Sequence, residues 1–559
     1  MSSGIDKEQL DAVLGSLREF AHHELTDEKL RQWDKEDIIP IDVVRQMCDQ
    51  NALGIQMLFV ASEFGGMGGS TFDVYRTCEA MARIDLGLAT AVLATFLGSD
   101  PIVVGGTPEQ KMRWLSRIAN DGALVAYGAT EPSAGSDLGA MKSTATRVEE
   151  NGQVVGYKLN GSKQWISNGG VADFTTILAM APGGPTWFVV EKDTPGFAAG
   201  KPEEKHGIRL SNTSALTLDD VYVEKERLIG GVEGQGLIQA QAVFGYTRVM
   251  VASFGLGVGW AALDRAIPYS VERIQGGGPL SEKQGYTHKL IIPWITRLEA
   301  GRAYIEHAAE LIDAAQGLHG QYNTEGAIAK YLSTEAGNSA CEAAIQAQGG
   351  YGYTHEYMVE KYKRDVRITT IYEGTSEIME MTISRDRWQL HMKTRGQHYV
   401  EMGKKLDRLH VESPKVGANI VALAFRALAE ILERVRVHRL TRNQHVLFRL
   451  GELIAHAEGA WALSQRASNA EAGRLNEKAD QRFKPETLAR IARVYAREAA
   501  LKVGTDGLRW VAGSGGVQPG EMAAFEKAMG LQAIFEAQAG ALEDMDRIAD
   551  AVYSRVPST

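Results

Sequence analysis

Short β-prone runs are confined to one stretch of this chain, from about residue 121 to 230, and long helical patterns flank it on both sides. Runs such as Gln153–Leu159 and Thr186–Val190 are bounded by Gly, Pro, Asn and Asp, which predicts several short strands in a small barrel or sandwich. Ahead of them, Tyr75–Ile84 carries an apolar face at helical spacing after the turn-rich Glu63–Ser70. Behind them, helical patterns are broken at Gly276–Pro279 and at Gly349–Gly352, and 164 further residues extend from 396 to 559. In that extension Val421, Phe425, Leu428, Leu432 and Val435 are spaced 4, 3, 4, 3, and Leu447, Leu450, Ile454, Ala457 and Trp461 are spaced 3, 4, 3, 4. Two such stripes joined by a short polar link predict packed antiparallel helices. The expected fold is mainly α with a central β-barrel: a helical domain over 1–120, the β-barrel domain over 121–236, a second helical domain over 237–395 and a helical extension over 396–559.

Charge narrows the function classes. With 60 Lys+Arg against 70 Asp+Glu, the net charge of −10 lacks the basic excess of a dedicated nucleic-acid binder. The three cysteines, Cys48, Cys78 and Cys341, are widely spaced and form no CxxC pair, so neither a disulfide framework nor a metal site is expected. The start, Met1 to Glu8, has no basic or apolar leader character, and no uncharged apolar run approaches the ~20 residues of a membrane span. These features predict a cytoplasmic protein. Glycine, 60 of 559 residues, stands above a usual share of about 7%, as turns and close backbone approach to a ligand require.

Three clusters carry the chemistry. Tyr127-Gly-Ala-Thr-Glu-Pro-Ser-Ala-Gly-Ser-Asp137 reads either as a turn-rich loop opening the β domain or as hydroxyls and small residues beside a flat ligand. Gly161-Ser-Lys-Gln-Trp-Ile-Ser-Asn-Gly-Gly170 holds a Trp that is either core or a cover for a planar ring whose edge the following hydroxyl bonds. Gln346-Ala-Gln-Gly-Gly-Tyr-Gly-Tyr353 leads into Arg364-Asp365 and Ile371-Tyr-Glu-Gly-Thr-Ser-Glu-Ile378, whose Glu373 taken alone is a helix N-terminal acid.

Taken together and in this order, Ala-Thr-Glu-Pro-x-Ala-Gly-Ser-Asp, Trp-Ile-Ser-Asn-Gly, Gln-x-x-Gly-Gly and Ile-Tyr-Glu-Gly-Thr-Ser-Glu-Ile resemble the acyl-CoA dehydrogenase family over roughly residues 10 to 390. The resemblance implies a helical domain, a central β-barrel and a four-helix domain, FAD as cofactor, and a homodimer or homotetramer with FAD at a subunit interface. It implies removal of an α-proton and a β-hydride from an acyl-CoA thioester, with electrons passed to electron-transferring flavoprotein. The α C–H of a thioester is weakly acidic, so its base must sit close and partly desolvated. The resemblance places that base at Glu373. The enolate oxygen needs preorganised donors, in the family the glutamate's own N–H and a ribityl hydroxyl, and the hydride goes to the flavin.

The same resemblance assigns FAD contacts to Tyr127, Ala129, Thr130, Trp165 and Ser167. It assigns Arg273 and Gln284, eleven residues apart, together with Gln346 and Gly350, to the FAD of a neighbouring subunit, and Thr375 and Glu377 to the dinucleotide. Substrate contacts fall on Ser136, Phe244, Arg248, Gly374 and Arg385. Two positions depart from the pattern: Phe244-Gly245 lacks the acid usual before Arg248, and Gly276 replaces an aromatic expected beside FAD. An acyl-CoA oxidase, and a family-like assembly or scaffold protein of low activity, remain open alternatives.

Glutaryl-CoA dehydrogenases carry an arginine for the distal carboxylate of their substrate, and the matching position here is Ala89. A buried carboxylate without a partner is costly, so an acyl chain without distal charge is expected. The extension loosely resembles the C-terminal helical domain of very-long-chain acyl-CoA dehydrogenases. Residues 431–510 hold 15 Lys+Arg against 9 Asp+Glu, which reads either as peripheral contact with an anionic membrane or as a solvated face or subunit contact.

Overall fold

The computed structural model describes residues 4–315 and 320–554; the first three residues of the leader reading and the last five of the extension lie outside them. The chain divides into two compact units: Met1–Met250 with Ala309–Asn323 and Arg364–Ile368, and Val251–Ala308 with Thr324–Lys363 and Thr369–Thr559.

Six helices open the first unit: α1 (Lys7–Glu24), α2 (Asp27–Glu36), α3 (Ile41–Met47), α4 (Thr71–Ile84), α5 (Leu86–Gly105) and α6 (Pro108–Asp121). Asp6, Ser70 and Thr107 start α1, α4 and α6 with capping boxes closed by the side chain three residues on. Among the described residues two helices are long and apolar enough to cross a membrane, although charges interrupt both, Asp100 in one and Arg248, Asp264 and Arg265 in the other. By length and composition α5 and the helix α7 (Gly236–Glu272) both pass, with mean hydropathies of 1.6 and 1.3, but 83% of each apolar window is buried inside the protein. A helix apolar all round needs protein on every side, and α5 obtains it as a core helix.

Seven strands follow: β1 (Val125–Gly128), β2 (Thr144–Glu150), β3 (Gln153–Ser167), β4 (Phe174–Ala181), β5 (Gly184–Glu191), β6 (Phe197–Pro202) and β7 (Thr213–Glu224). They form one sheet of order β1-β4-β2-β3-β7-β6, with β5 paired to β4. Tyr157, Leu159, Phe188, Leu216 and Val221 fill its core. The barrel expectation is corrected, because the sheet is a curled half-barrel: among the described residues, no pairing joins β6 back to β5 or β1. The open edge has a physical cause. Five of the six residues of β6 are exposed, and the strand ends in Pro202, which has no N–H to offer another strand.

The helix α7 leaves the first unit and continues into the second. There follow the hairpin β8 (Ile274–Gln275) and β9 (Gly278–Pro279), and the helices α8 (Gln284–Leu290), α9 (Ile292–Ala314), α10 (Asn323–Gln348), α11 (Met358–Val366) and α12 (Ser376–Lys393). The extension adds α13 (Gln397–Glu412), α14 (Ala418–Val437), α15 (Gln444–Glu471), α16 (Pro485–Gly513), α17 (Met522–Ala528), α18 (Leu531–Glu536) and α19 (Ala541–Val552). Every residue of the Val421–Val435 stripe is buried, and α14 and α15 both pack on α16. On α15 burial spreads past the stripe to Leu453, Ala455 and Glu458, because α12 covers a further face of that helix.

Candidate active site

In the first unit the predicted flavin segment is built around a break in a ladder. Pairing of β3 with β7 slips between Lys163 and Ile166, and the freed Gln164 N–H donates instead to the Thr130 carbonyl at 3.0 Å. Within this bulge Trp165 takes φ 60°, a left-handed conformation costly for a large side chain, and its indole stands 62% exposed. Bulges re-aim side chains in this way beside functional sites. Pairing resumes at Ile166, opposite Ser214, and Ser167 then stands opposite Thr213, so the Ser167 and Thr213 hydroxyls share one face of the sheet. The Thr213 hydroxyl is buried with no hydrogen-bond partner among the described residues. A flat exposed indole beside Thr130, and an orphaned hydroxyl beside Ser167, fit a planar ring with polar edges. Such a ring is what FAD brings.

This segment is anchored from below. Lys163 is fully buried and donates to Glu131 at 2.7 Å and to the Ala129 carbonyl at 3.3 Å. Burial by itself raises the Glu131 carboxyl, but bonds from Lys163, Ser143 and the Lys142 N–H outweigh it and hold the group at about 2. Tyr127 packs on Trp187 with ring centroids 4.8 Å apart, and Ala129 is buried. Ser136 lies on the exposed loop that follows.

Also in this unit, Arg248 is only 6% exposed. Its guanidinium lies 5.1 Å from the Phe244 ring centroid and donates to the Asn323 carbonyl at 3.3 Å. The missing acid at 245 has a steric cause: a Cβ on Gly245 would stand 3.0 Å from the Tyr322 carbonyl group, a contact tighter than packed atoms adopt freely.

In the second unit Glu373 is half-buried. It and Gly374 occupy successive left-handed positions at φ 55° and 94°, and Thr375 then caps α12 by accepting from the Ile378 N–H at 3.3 Å. Lys330 of α10 donates Nζ to the Gly374 carbonyl at 2.6 Å, and Ser376 donates Oγ to Glu335 at 2.5 Å. Glu377 is exposed in the first turn of α12, and Arg385 pairs at the surface with Asp386 at 2.7 Å. Arg273 lies exposed with its guanidinium 5.7 Å from the Tyr351 ring centroid, and Gln346 and Gly350 are exposed nearby in sequence. The departure at Gly276 follows from the hairpin, since Gly276 and Gly277 both have positive φ, 56° and 82°, as a two-residue type I′ turn requires. Gln284 is engaged by the extension, donating to Asp546 of α19 at 2.9 Å.

The structure thus gathers Thr130, Trp165 and Ser167 within one unit and Glu373, Gly374, Thr375 and Glu377 within the other. Sequence reasoning missed Thr213, Lys163, Lys330, Glu335 and Asp546. Lys330 did leave a signal, a lone cation in the run Ala327-Ile-Ala-Lys-Tyr-Leu332.

Three sequence-family models match the chain: the acyl-CoA dehydrogenase N-terminal domain over residues 7–121, the middle domain over 126–221 and the C-terminal domain over 234–387. A Bacillus subtilis protein named acyl-CoA dehydrogenase is 36% identical over 375 residues, covering 66% of this chain and 95% of that one. Subunit CarC of an Acetobacterium woodii caffeyl-CoA reductase-Etf complex is 34% identical over 384 residues, 67% of this chain and 97% of the other. Among solved structures, butyryl-CoA dehydrogenase from Megasphaera elsdenii is 32% identical with a TM-score of 0.63, over 69% of this chain and 99% of its own. An acyl-CoA dehydrogenase from Bacillus anthracis, complexed with FAD, reaches a TM-score of 0.83 at 22% identity over 98% of this chain and 95% of its own, a likeness of fold that takes in the extension.

Proposed function

The chain belongs to the acyl-CoA dehydrogenase family, an FAD-binding family of oxidoreductases acting on acyl-CoA, and on that premise we propose that Glu373 is the base that takes the α-proton from the acyl thioester. The observation that carries this reading is the Glu373 turn itself: a half-buried carboxylate in a left-handed position, on a turn hydrogen-bonded on both sides to one helix. Partial desolvation favours a carboxylate that accepts a proton, and the Glu373 N–H is the proposed donor to the developing enolate oxygen. When bound, FAD supplies the acceptor for the β-hydride. Trp165 covers the ring, Ser167 bonds its edge, and Tyr127, Ala129 and Thr130 line it. Thr375 and Glu377 meet the dinucleotide, while Ser136, Phe244, Gly374, Arg248 and Arg385 serve the CoA ester. The exposed Arg273, Gln346 and Gly350 serve the FAD of a second copy in a homodimer or homotetramer, whereas Gln284 is already held by Asp546.

Ala89 is buried on α5, which supports an acyl chain without a distal carboxylate. Electron-transferring flavoprotein is the proposed acceptor, supported by the Etf complex named for the Acetobacterium woodii relative. The same relative, a reductase, supports a second reading in which this site works in the direction of enoyl-CoA reduction. Anaerobic addition of acyl-CoA esters of graded chain length, branching and ring content tests the proposal through bleaching of the flavin. Uncharged chains are expected to bleach it, and Glu373→Gln is expected to abolish bleaching with FAD retained. Undiminished bleaching in that variant displaces Glu373 as base, and faster turnover of glutaryl-CoA than of straight-chain esters overturns the substrate class.

A further inference from the structure

The turn that carries Glu373 is held by one helix at two points. Glu373 and Gly374 take left-handed conformations in succession, and a non-glycine residue persists there only where its surroundings over-determine it. On one side of Thr375, the Lys330 ammonium donates to the Gly374 carbonyl at 2.6 Å. On the other, Ser376 donates to the Glu335 carboxylate at 2.5 Å. Both partners come from α10, five residues apart along the helix. Lys330 has no exposed surface, and burying an ammonium is expensive unless its bonds repay the lost hydration. An apolar side chain would fill that space without this cost. What it could not do is reach a backbone carbonyl next to Glu373.

We propose that Lys330 and Glu335 are positioning residues that fix the turn on which Glu373 is aimed, Lys330 through the Gly374 carbonyl and Glu335 through Ser376. The proposal rests on the reading of Glu373 as base. Neither residue takes a proton from the substrate. They hold the carboxylate where the α-proton will be, and misplacing a reacting group by about 1 Å costs about a hundred-fold in rate.

The decisive variant is Lys330→Met, which keeps the length of the side chain and removes its donor. The probe is an acyl-CoA analogue with sulfur at the β-position, which can lose its α-proton without passing on a hydride. Its long-wavelength charge-transfer absorbance with the flavin reports deprotonation alone. In the FAD-loaded protein, deprotonation is expected to slow about a hundred-fold, with the analogue's Kd and the bound FAD within two-fold of the parent. Lys330→Arg, which restores a donor, is expected to recover part of the rate. If Lys330→Met does not fold, Ser376→Ala decides, with about a ten-fold slowing expected from loss of the second tether. Parent-like deprotonation in a folded Lys330→Met, or in Ser376→Ala where that is the deciding variant, overturns the proposal, and so does an equal loss of FAD or analogue binding. Glu373→Gln run alongside separates the two readings. If it still deprotonates the analogue, the assignment of the base has failed, whatever Lys330 does.

Discussion

Glu131 and Lys163 form a charge pair with almost no exposed surface, and the strand end that presents Trp165 is built on it. Neutralising Glu131 alone leaves a buried ammonium without its counter-charge, a change that typically costs about 3–5 kcal/mol. Glu131→Gln is therefore expected to lower the thermal midpoint by several degrees and loosen FAD, and a midpoint within one degree of the parent would contradict this. Because the Glu131 carboxyl is held at about 2, below its ordinary value of 4.5, its contribution is present above that ordinary value. It is lost as pH falls toward 2. The sequence made Trp165 and Ser167 legible because their residue types match a family motif. It did not disclose the bulge, because a slipped register depends on Thr130, 34 residues before Gln164 in sequence, taking the bond that β7 gives up. Thr213 was hidden for the same reason: only the pairing with Ser167 gives its hydroxyl a place.

Between elements, the contact of α12 with α15 is sensitive to pH. Glu380 of α12 is buried and accepts from Arg449 of α15 at 2.9 and 3.1 Å. Burial dominates, Arg449 opposes it and Glu452 adds to it, so the Glu380 carboxyl is raised to about 7 from 4.5. Below the ordinary value the carboxyl is protonated in the folded and unfolded chain alike. Between there and about 7 the folded protein keeps a proton that the unfolded chain has released, so stability falls as pH rises through that window. The loss amounts to about 3 kcal/mol at most. Glu380→Gln mimics the protonated form and is expected to flatten this part of the stability–pH curve measured by urea unfolding. Curves that stay parallel from pH 5 to 8 would remove Glu380 from the account. The helices themselves were legible as stripes: Val421, Phe425, Leu428, Leu432 and Val435 lie on one buried face of α14. The closure of the sheet was not, because strand texture in the sequence says nothing of whether β6 finds a neighbour.

Over the whole molecule, the extension behaves as part of the second unit's core. Glu458 of α15 is 2% exposed. It accepts from Arg387 of α12 at 2.7 Å, from Tyr304 of α9 at 2.7 Å and from Tyr399 of α13 at 2.8 Å. Arg466, also buried, donates to Glu306 at 2.7 Å and Glu299 at 3.3 Å on α9. Part of the basic excess of residues 431–510 is paired with acids of the same unit. Arg449 pairs with Glu380, Arg482 with Asp264, Lys502 with Glu452, and Arg490, Arg493 and Arg497 all with Asp544. A charge amid Ala457, Gly459 and Ala460 is visible in the sequence, but its partners lie 59 to 154 residues away and only the fold supplies them. The Bacillus subtilis relative is accounted for over 95% of its length by 66% of this chain, so the family does not need such an extension in general. This chain is expected to, because a chain ending at residue 395 would take Arg466 from Glu306 and one of two carboxylates, Glu458, from Arg387, which keeps Glu325. Removing one partner of a buried ion pair costs up to about 3–5 kcal/mol, and α12 would also lose the apolar cover of α15. Together these losses rival the whole stability of an ordinary domain, about 5–15 kcal/mol. Residues 1–395 expressed alone are expected to be insoluble or to lack a cooperative melting transition, and Glu458→Gln in the full chain to lower the midpoint without changing FAD content. A soluble 1–395 chain melting cooperatively within a few degrees of the parent would show that the extension is an appendage after all.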